Sequence, residues 1–128
     1  MSALVVDTSS WIAWFAGGGS PLIVEALEEG RVYLPVVVAA ELLSGRLPGS
    51  ERTELQSFLS DLPALGIDPE HWFRVGKLRS DLRALGLSVS TPEAHVAQSA
   101  LDLEADLLSE DRVFLKIARS VPLRLASP

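Results

Sequence analysis

The chain has 128 residues, 48% of them hydrophobic, a formal net charge of −6 and no cysteine. That length and apolar content suit one domain with a sizeable core, expected over residues 1–128; the lack of cysteine excludes a disulfide framework and a thiolate metal site, leaving oxygens and two histidines as metal donors. The acidic balance excludes nucleic-acid binding through a broad basic surface, but not a nucleic-acid enzyme, because metal ions bridging carboxylates to phosphates reverse the local field.

Met1-Ser2-Ala3 has no basic leader region, and the most apolar run, Leu34 to Ala40, stops at Glu41, far short of a membrane span. A soluble cytoplasmic protein with no membrane contact is expected. Leu4-Val5-Val6 is apolar without alternation, as in a strand covered on both faces of a parallel sheet. Asp7 then falls at the strand's carboxyl end, where ligands bind in open α/β sheets. Thr8, Ser9 and Ser10 serve as N-cap residues for a helix over Trp11 to Ala16. Gly17-Gly18-Gly19 breaks the chain, and Ser20-Pro21 restarts a helix that runs to about Gly30. Val32-Tyr33-Leu34 is a short strand closed by Pro35, and Val36 to Ser44 has helical spacing despite its valines. A helix opened by Ser50-Glu51-Arg52 ends at Pro63, and Ala64 to Ile67 reads as a brief strand. Asp68-Pro69 caps a long helix reaching Leu85, and Thr91-Pro92-Glu93 opens another that continues to Leu103. Ala105 to Leu108 is a strand, Asp111 to Arg119 a helix, and Val121 to Leu125 a last strand that Pro122 assigns to a sheet edge. Alternating strands and helices make this an α/β chain with a mainly parallel sheet.

Three further acids share the logic of Asp7. Glu41 is expected on the same helix face as Val37, Val38 and Gly45, the face turned to the core, where a carboxylate needs a partner. Glu93 stands beside the apolar stripe of Val96, Ala97 and Ala100, and its place in the first turn also suits the helix dipole. Asp111 lies just beyond a strand end at the opening of a helix. Each has a structural alternative: a turn and cap for Asp7, a solvated helix face for Glu41, capping for Glu93 and Asp111. Four carboxylates gathered at one sheet edge would need cations or protons, and oxygen-only ligands suit Mg²⁺ or Mn²⁺. Arg112, Lys116 and Arg119 fall on one helix face beside Asp111, as RNA phosphate contacts or as a solvated face complementing the helix C-terminus. His71 and His95 lack metal-ligand spacing and read as surface histidines. Trp11 and Phe15, about a turn apart, read as core or subunit contact.

Asp7-Thr8-Ser9, Glu41-Leu42-Leu43-Ser44-Gly45, Glu93-Ala94-His95-Val96-Ala97 and Leu107-Leu108-Ser109-Glu110-Asp111 together resemble the ordered acidic motifs of PIN-domain nucleases. Length and order are most similar to the VapC-type toxins of bacterial toxin-antitoxin pairs. The resemblance implies a single PIN-like α/β domain, a mainly parallel sheet flanked by helices, Mg²⁺-dependent RNA cleavage, a homodimer and inhibition by a small antitoxin. It also implies Asp7, Glu41, Glu93 and Asp111 as catalytic and metal-binding acids, with Ser9 and Ser109 as supporting hydroxyls. The third acid is usually Asp in that family, and here it is Glu93. The expected chemistry is phosphodiester hydrolysis by a metal-activated water. A haloacid-dehalogenase-like phosphatase would need Asp where Ser9 stands, and a metal-ion-dependent adhesion site, D-x-S-x-S, is broken by Trp11. A PIN-like binding module without turnover, or a PIN nuclease of RNA processing without an antitoxin, stays open at this point.

Overall fold

A computed structural model describes residues 1–127 of the chain. At its centre is β1 (Leu4–Val6), with β2 (Val32–Pro35) on one side and β4 (Asp106–Leu108) on the other. Short edge strands β3 (Ala64–Leu65) and β5 (Arg124–Leu125) complete a parallel sheet of order β3-β2-β1-β4-β5. Val5 and Val6 have no exposed surface, so the unbroken apolar run of β1 reflects a strand covered on both faces. The register sets Val6 beside Leu108, and the Asp7 amide continues the ladder by donating to the Leu108 carbonyl. Asp7 and Ser109 therefore leave the sheet side by side at its carboxyl edge. Pro122 precedes the outermost strand, β5, where a missing amide donor interrupts no ladder.

The helices are α1 (Thr8–Phe15), α2 (Pro21–Glu28), α3 (Val36–Leu43), α4 (Gly49–Ser60), α5 (Pro69–Ala84), α6 (Thr91–Leu103) and α7 (Val113–Ala118). Ser20 caps α2 at the Leu22 amide and Asp68 caps α5 at the Glu70 amide, each followed by a proline in the first turn. α6 packs against β1, β2, β4 and the long α5, and is the central helix of the molecule. Its buried residues run all round the axis, from Ala94 through Ala100. The core closes under α1, where Trp11 is fully buried against Trp14, Phe15 and Phe58. Phe15 remains 48% exposed, so of the two aromatics only Trp11 belongs to the core proper. Among the described residues no helix is long and apolar enough to cross a membrane.

The structure corrects several expectations. α1 begins at Thr8, so Thr8, Ser9 and Ser10 form its first turn, and Asp7 occupies the N-cap position without a side-chain capping bond. Its carboxylate is directed instead to the hydroxyls of Ser9 and Ser109. The buried face of α3 is Val38 and Leu42, one turn apart, which leaves Glu41 exposed at the side of that stripe. Ser90, one residue earlier than expected, caps α6. His71 and His95 are not surface residues: they are 4% and 0% exposed, because α5 covers the face of α6 that a two-sided helix would have shown to water.

Candidate active site

Asp7 is the pivot of the carboxyl edge. Ser109, following β4, donates to its Oδ2 at 2.8 Å, and Ser9, in the first turn of α1, donates to the same oxygen at 3.1 Å. The two hydroxyls lie 3.3 Å apart, Ser9 Oγ accepts the Glu110 amide and Ser109 Oγ accepts the Asp111 amide. Each hydroxyl thus accepts one amide of the β4–α7 loop and has its single proton to give to Asp7. Burial raises the Asp7 carboxyl above the usual range against the lowering effect of Ser109, Ser9 and the Thr8 amide, and the nearby Glu41 adds to the rise. An acid held so is a strong attractor for a cation, since a positive charge would relieve both burial and repulsion.

Glu41 reaches this site from α3 through Thr8, whose hydroxyl donates to Oε1 at 2.7 Å. Thr8 was legible only as a helix cap, and its position directly after Asp7 was the available signal for a second role. Asp111 accepts the Val113 amide at 3.0 Å and so turns the chain into α7. Glu93 completes a capping box: the Ser90 amide donates to its Oε1 at 2.8 Å while its own amide donates to Ser90 Oγ at 3.2 Å. Asp7, Ser9 and Ser109 therefore form one hydrogen-bonded group, beside which Thr8 and Glu41 form a pair joined to it through the Thr8 backbone; Asp111 joins through its backbone amide and Glu93 through no hydrogen bond among the described residues. Nor do three acidic or histidine side chains converge as a metal-holding group among those residues. Arg112, Lys116 and Arg119 are exposed on or beside α7, and none of them makes an ion pair among the described residues.

A second polar network lies deeper, under the β2–β3 side of the sheet. His71 Nε2 and His95 Nδ1 are 2.7 Å apart, and His71 Nδ1 is 3.1 Å from Asp102 Oδ2. Arg74 and Gln98 also hold Asp102, keeping its carboxyl below the usual range despite partial burial. Burial, and then His71, lowers His95 to about 4, so its ring is neutral near pH 7. The signal for this network was a polar row of His95, Gln98 and Asp102 on one side of an otherwise apolar helix.

With this geometry in view, the whole-chain comparisons agree with one another. The family model described as PIN domain matches residues 4–120. VapC ribonuclease Mb1587 of Mycobacterium bovis and ribonuclease VapC11 of Mycobacterium tuberculosis are each 31% identical over 131 aligned positions, covering 97% of this chain and 98% of the relative. Among solved structures, the VapBC2 complex of Rickettsia felis bound to a promoter DNA fragment matches with TM-score 0.75 at 19% identity, covering 97% of both chains. VapBC-1 of nontypeable Haemophilus influenzae matches with TM-score 0.74 at 16% identity, over 98% of this chain and 97% of that one. The parallel sheet, the acid at the end of its central strand and the near full-length matches lead to one assignment: the chain belongs to the PIN-domain family, among its VapC-type members.

Proposed function

We propose that the chain is a divalent-metal-dependent endoribonuclease and the toxin of a toxin-antitoxin pair, working as a single domain over residues 1–128. The observation that carries this reading is Asp7 at the carboxyl end of β1, with two hydroxyl protons on one oxygen and Glu41 across from it. The relatives named ribonucleases support the reaction class, and the structural neighbours that are VapBC complexes support the partner.

The donor chemistry fits Mg²⁺ or Mn²⁺, because every side-chain ligand at the site is a hard oxygen. Asp7 and Glu41 are the acids that would hold the ion, with Asp111 and Glu93 completing the set from their helix starts. When bound, such an ion supplies an activated water and stabilises charge on the leaving oxygen of a phosphodiester. The chain's own contribution is positional. Ser9 and Ser109 fix the Asp7 carboxylate, Thr8 fixes Glu41, and Arg112, Lys116 and Arg119 offer cations for the phosphates of single-stranded or loop RNA.

A small antitoxin is the proposed partner, with a basic segment entering the acidic site, where Arg pairs with carboxylates in place of a metal. The chain itself is expected to pair as a homodimer. Support for a protein partner comes from a groove of about 680 Å³ between α1 and α4, lined by Ile12, Trp14, Phe15, Leu55 and Phe58, with Ile12 58% exposed. The test is cleavage of single-stranded RNA by purified chain freed of any inhibitor. Cleavage with Mg²⁺ or Mn²⁺ that stops on adding EDTA is expected. Undiminished cleavage in EDTA would remove the metal, and no cleavage with either ion would favour a binding module. Purification from the native host, followed by mass analysis, tests the partner.

A further inference from the structure

The helix that carries Glu41 is held at both ends by side chains from elsewhere in the chain. α3 opens Val36-Val37-Val38, β-branched residues with poor helix propensity. Its N-cap is Pro35, which offers no side-chain acceptor, and its last turn has no basic residue. At the far end Arg52 of α4 donates to the Leu43 and Gly45 carbonyls. At the near end the Val37 amide, one of those that a helix start leaves without an internal partner, donates to Nε2 of His95 at 3.4 Å.

That bond fixes the protons of the buried pair. Because His95 Nε2 accepts, the ring's proton sits on Nδ1 and is directed to His71 Nε2 at 2.7 Å. His71 Nε2 then accepts, so the second proton sits on His71 Nδ1 and is directed to Asp102. The chain of bonds runs one way, from a helix amide to a carboxylate clamped by Arg74 and Gln98, with every ring nitrogen satisfied. Trp72 stacks on the His95 ring with centroids 4.5 Å apart and planes 13° from parallel. Gly66 crowds the ring as well: a Cβ there would lie 2.5 Å from His95 Cε1. The ring is fixed in place as well as in tautomer.

We infer that His95, oriented by His71 and Asp102, is a positioning residue that serves as the missing N-cap of α3 and so sets Glu41, one turn beyond Val37, against Thr8 at the acid site. The clamp stands independently of the reaction; its catalytic consequence rests on the nuclease reading.

The experiment compares wild type, His95→Leu, His95→Gln and Asp102→Ala, each with and without Glu41→Gln. The readouts are Val37 amide exchange, the ¹³Cδ shift of Glu41 and RNA-cleavage kinetics in Mn²⁺. Loss of the acceptor in His95→Leu is expected to speed Val37 exchange about tenfold relative to α6 amides. The Glu41 shift should move, and kcat should fall about tenfold with KM within about twofold, because the effect is on geometry at the reacting centre. Adding Glu41→Gln to His95→Leu should then cost little more, the sign of two residues acting through one position. His95→Gln, which returns an acceptor, should recover most of the loss. Asp102→Ala, at the solvent end, should give a partial version of the same changes and serves if His95→Leu does not fold. Unchanged Val37 exchange in the folded variants overturns the clamp. An unmoved Glu41 shift, or full additivity with Glu41→Gln, overturns the positioning role. A wild-type chain that cleaves no RNA defeats the nuclease reading instead, while exchange and the Glu41 shift still decide this one.

Discussion

Ser109 donates to Asp7 Oδ2 at 2.8 Å across 102 residues of sequence, while its own oxygen accepts the Asp111 amide at 3.0 Å. One hydroxyl thus ties the acid after β1 to the loop after β4. Among the groups that pull the Asp7 carboxyl down against burial, Ser109 is the largest. Ser109→Ala should therefore push that carboxyl further up. The acidic limb of the pH–rate profile should move to higher pH, and stability should drop by about 1 kcal/mol for the lost hydrogen bond. Paired pH–rate and melting measurements check this, with Ser109→Thr as the variant expected to keep both properties near wild type. A profile unmoved in Ser109→Ala would mean that Asp7 titrates independently of the loop.

Asp7→Asn should abolish cleavage and raise the melting temperature near neutral pH. The sign follows from the raised carboxyl. A group whose folded pKa lies above its unfolded value favours folding below the unfolded value, and that advantage is lost as pH rises through the folded one. The charged wild type is therefore the less stable of the two at pH 7, and the curves should converge below about pH 3.8, the ordinary Asp value. Melting from pH 3 to 8 shows which holds. An Asn variant that melts earlier and still cuts RNA would reduce Asp7 to a turn residue.

The sheet and the order of the helices were legible because their signals are local: an unbroken apolar run for β1, Ser20-Pro21 and Asp68-Pro69 at helix starts, proline before β5. The four acids were legible as residues, Asp7 and Asp111 beyond strand ends, Glu93 at a helix start and Glu41 on a helix. What each carboxylate does was not. Glu41 was expected on the core face, but α3 uses Val38 and Leu42 for that, a difference of one position that decides whether the acid is buried or reaches Thr8. Capping of α6 by Ser90 depends on backbone direction, which sequence spacing does not give. The histidines were misread because the polar side of α6 faces α5, and which helix covers which face is a tertiary fact.

Gly66 should not tolerate a side chain. Its φ is +95°, and a Cβ would stand 2.5 Å from His95 Cε1 and 3.3 Å from a Val36 methyl carbon. The Gly66 carbonyl also accepts from Trp72 Nε1 at 2.7 Å, so the backbone cannot swing away freely. Gly66→Ala is expected to cost about 2–4 kcal/mol, combining positive-φ strain with overpacking. Gly30, with φ +67° and open space around it, is the control: Gly30→Ala carries the strain without the clash and should cost less. Denaturant melts of the two variants give the comparison, and equal losses would mean that His95 yields to the new methyl.

Glu93 is the residue whose helix-capping role and proposed site role can be separated by chemistry. Its Oε1 accepts the Ser90 amide in the capping box, and a glutamine can make the same bond. Glu93→Gln therefore preserves the cap while removing the charge, and loses about 0.3 to 1 kcal/mol of interaction with the helix dipole. If capping is its whole role, cleavage and Mn²⁺ affinity should match wild type. The site role predicts that turnover falls strongly while Mn²⁺ binding weakens less than in Asp7→Asn, because Glu93 is tied to Ser90 and shares no hydrogen bond with the Asp7 network. Glu93→Asp, with one methylene fewer, should keep the charge and partial activity but strain the box, since the shorter arm reaches the Ser90 amide less well. We expect the second pattern, with the order of turnover wild type, Glu93→Asp, Glu93→Gln. Mn²⁺ titration, melting and cleavage rates measured side by side on these variants check it. Wild-type turnover in Glu93→Gln would leave Glu93 a helix cap and reduce the proposed acids to Asp7, Glu41 and Asp111.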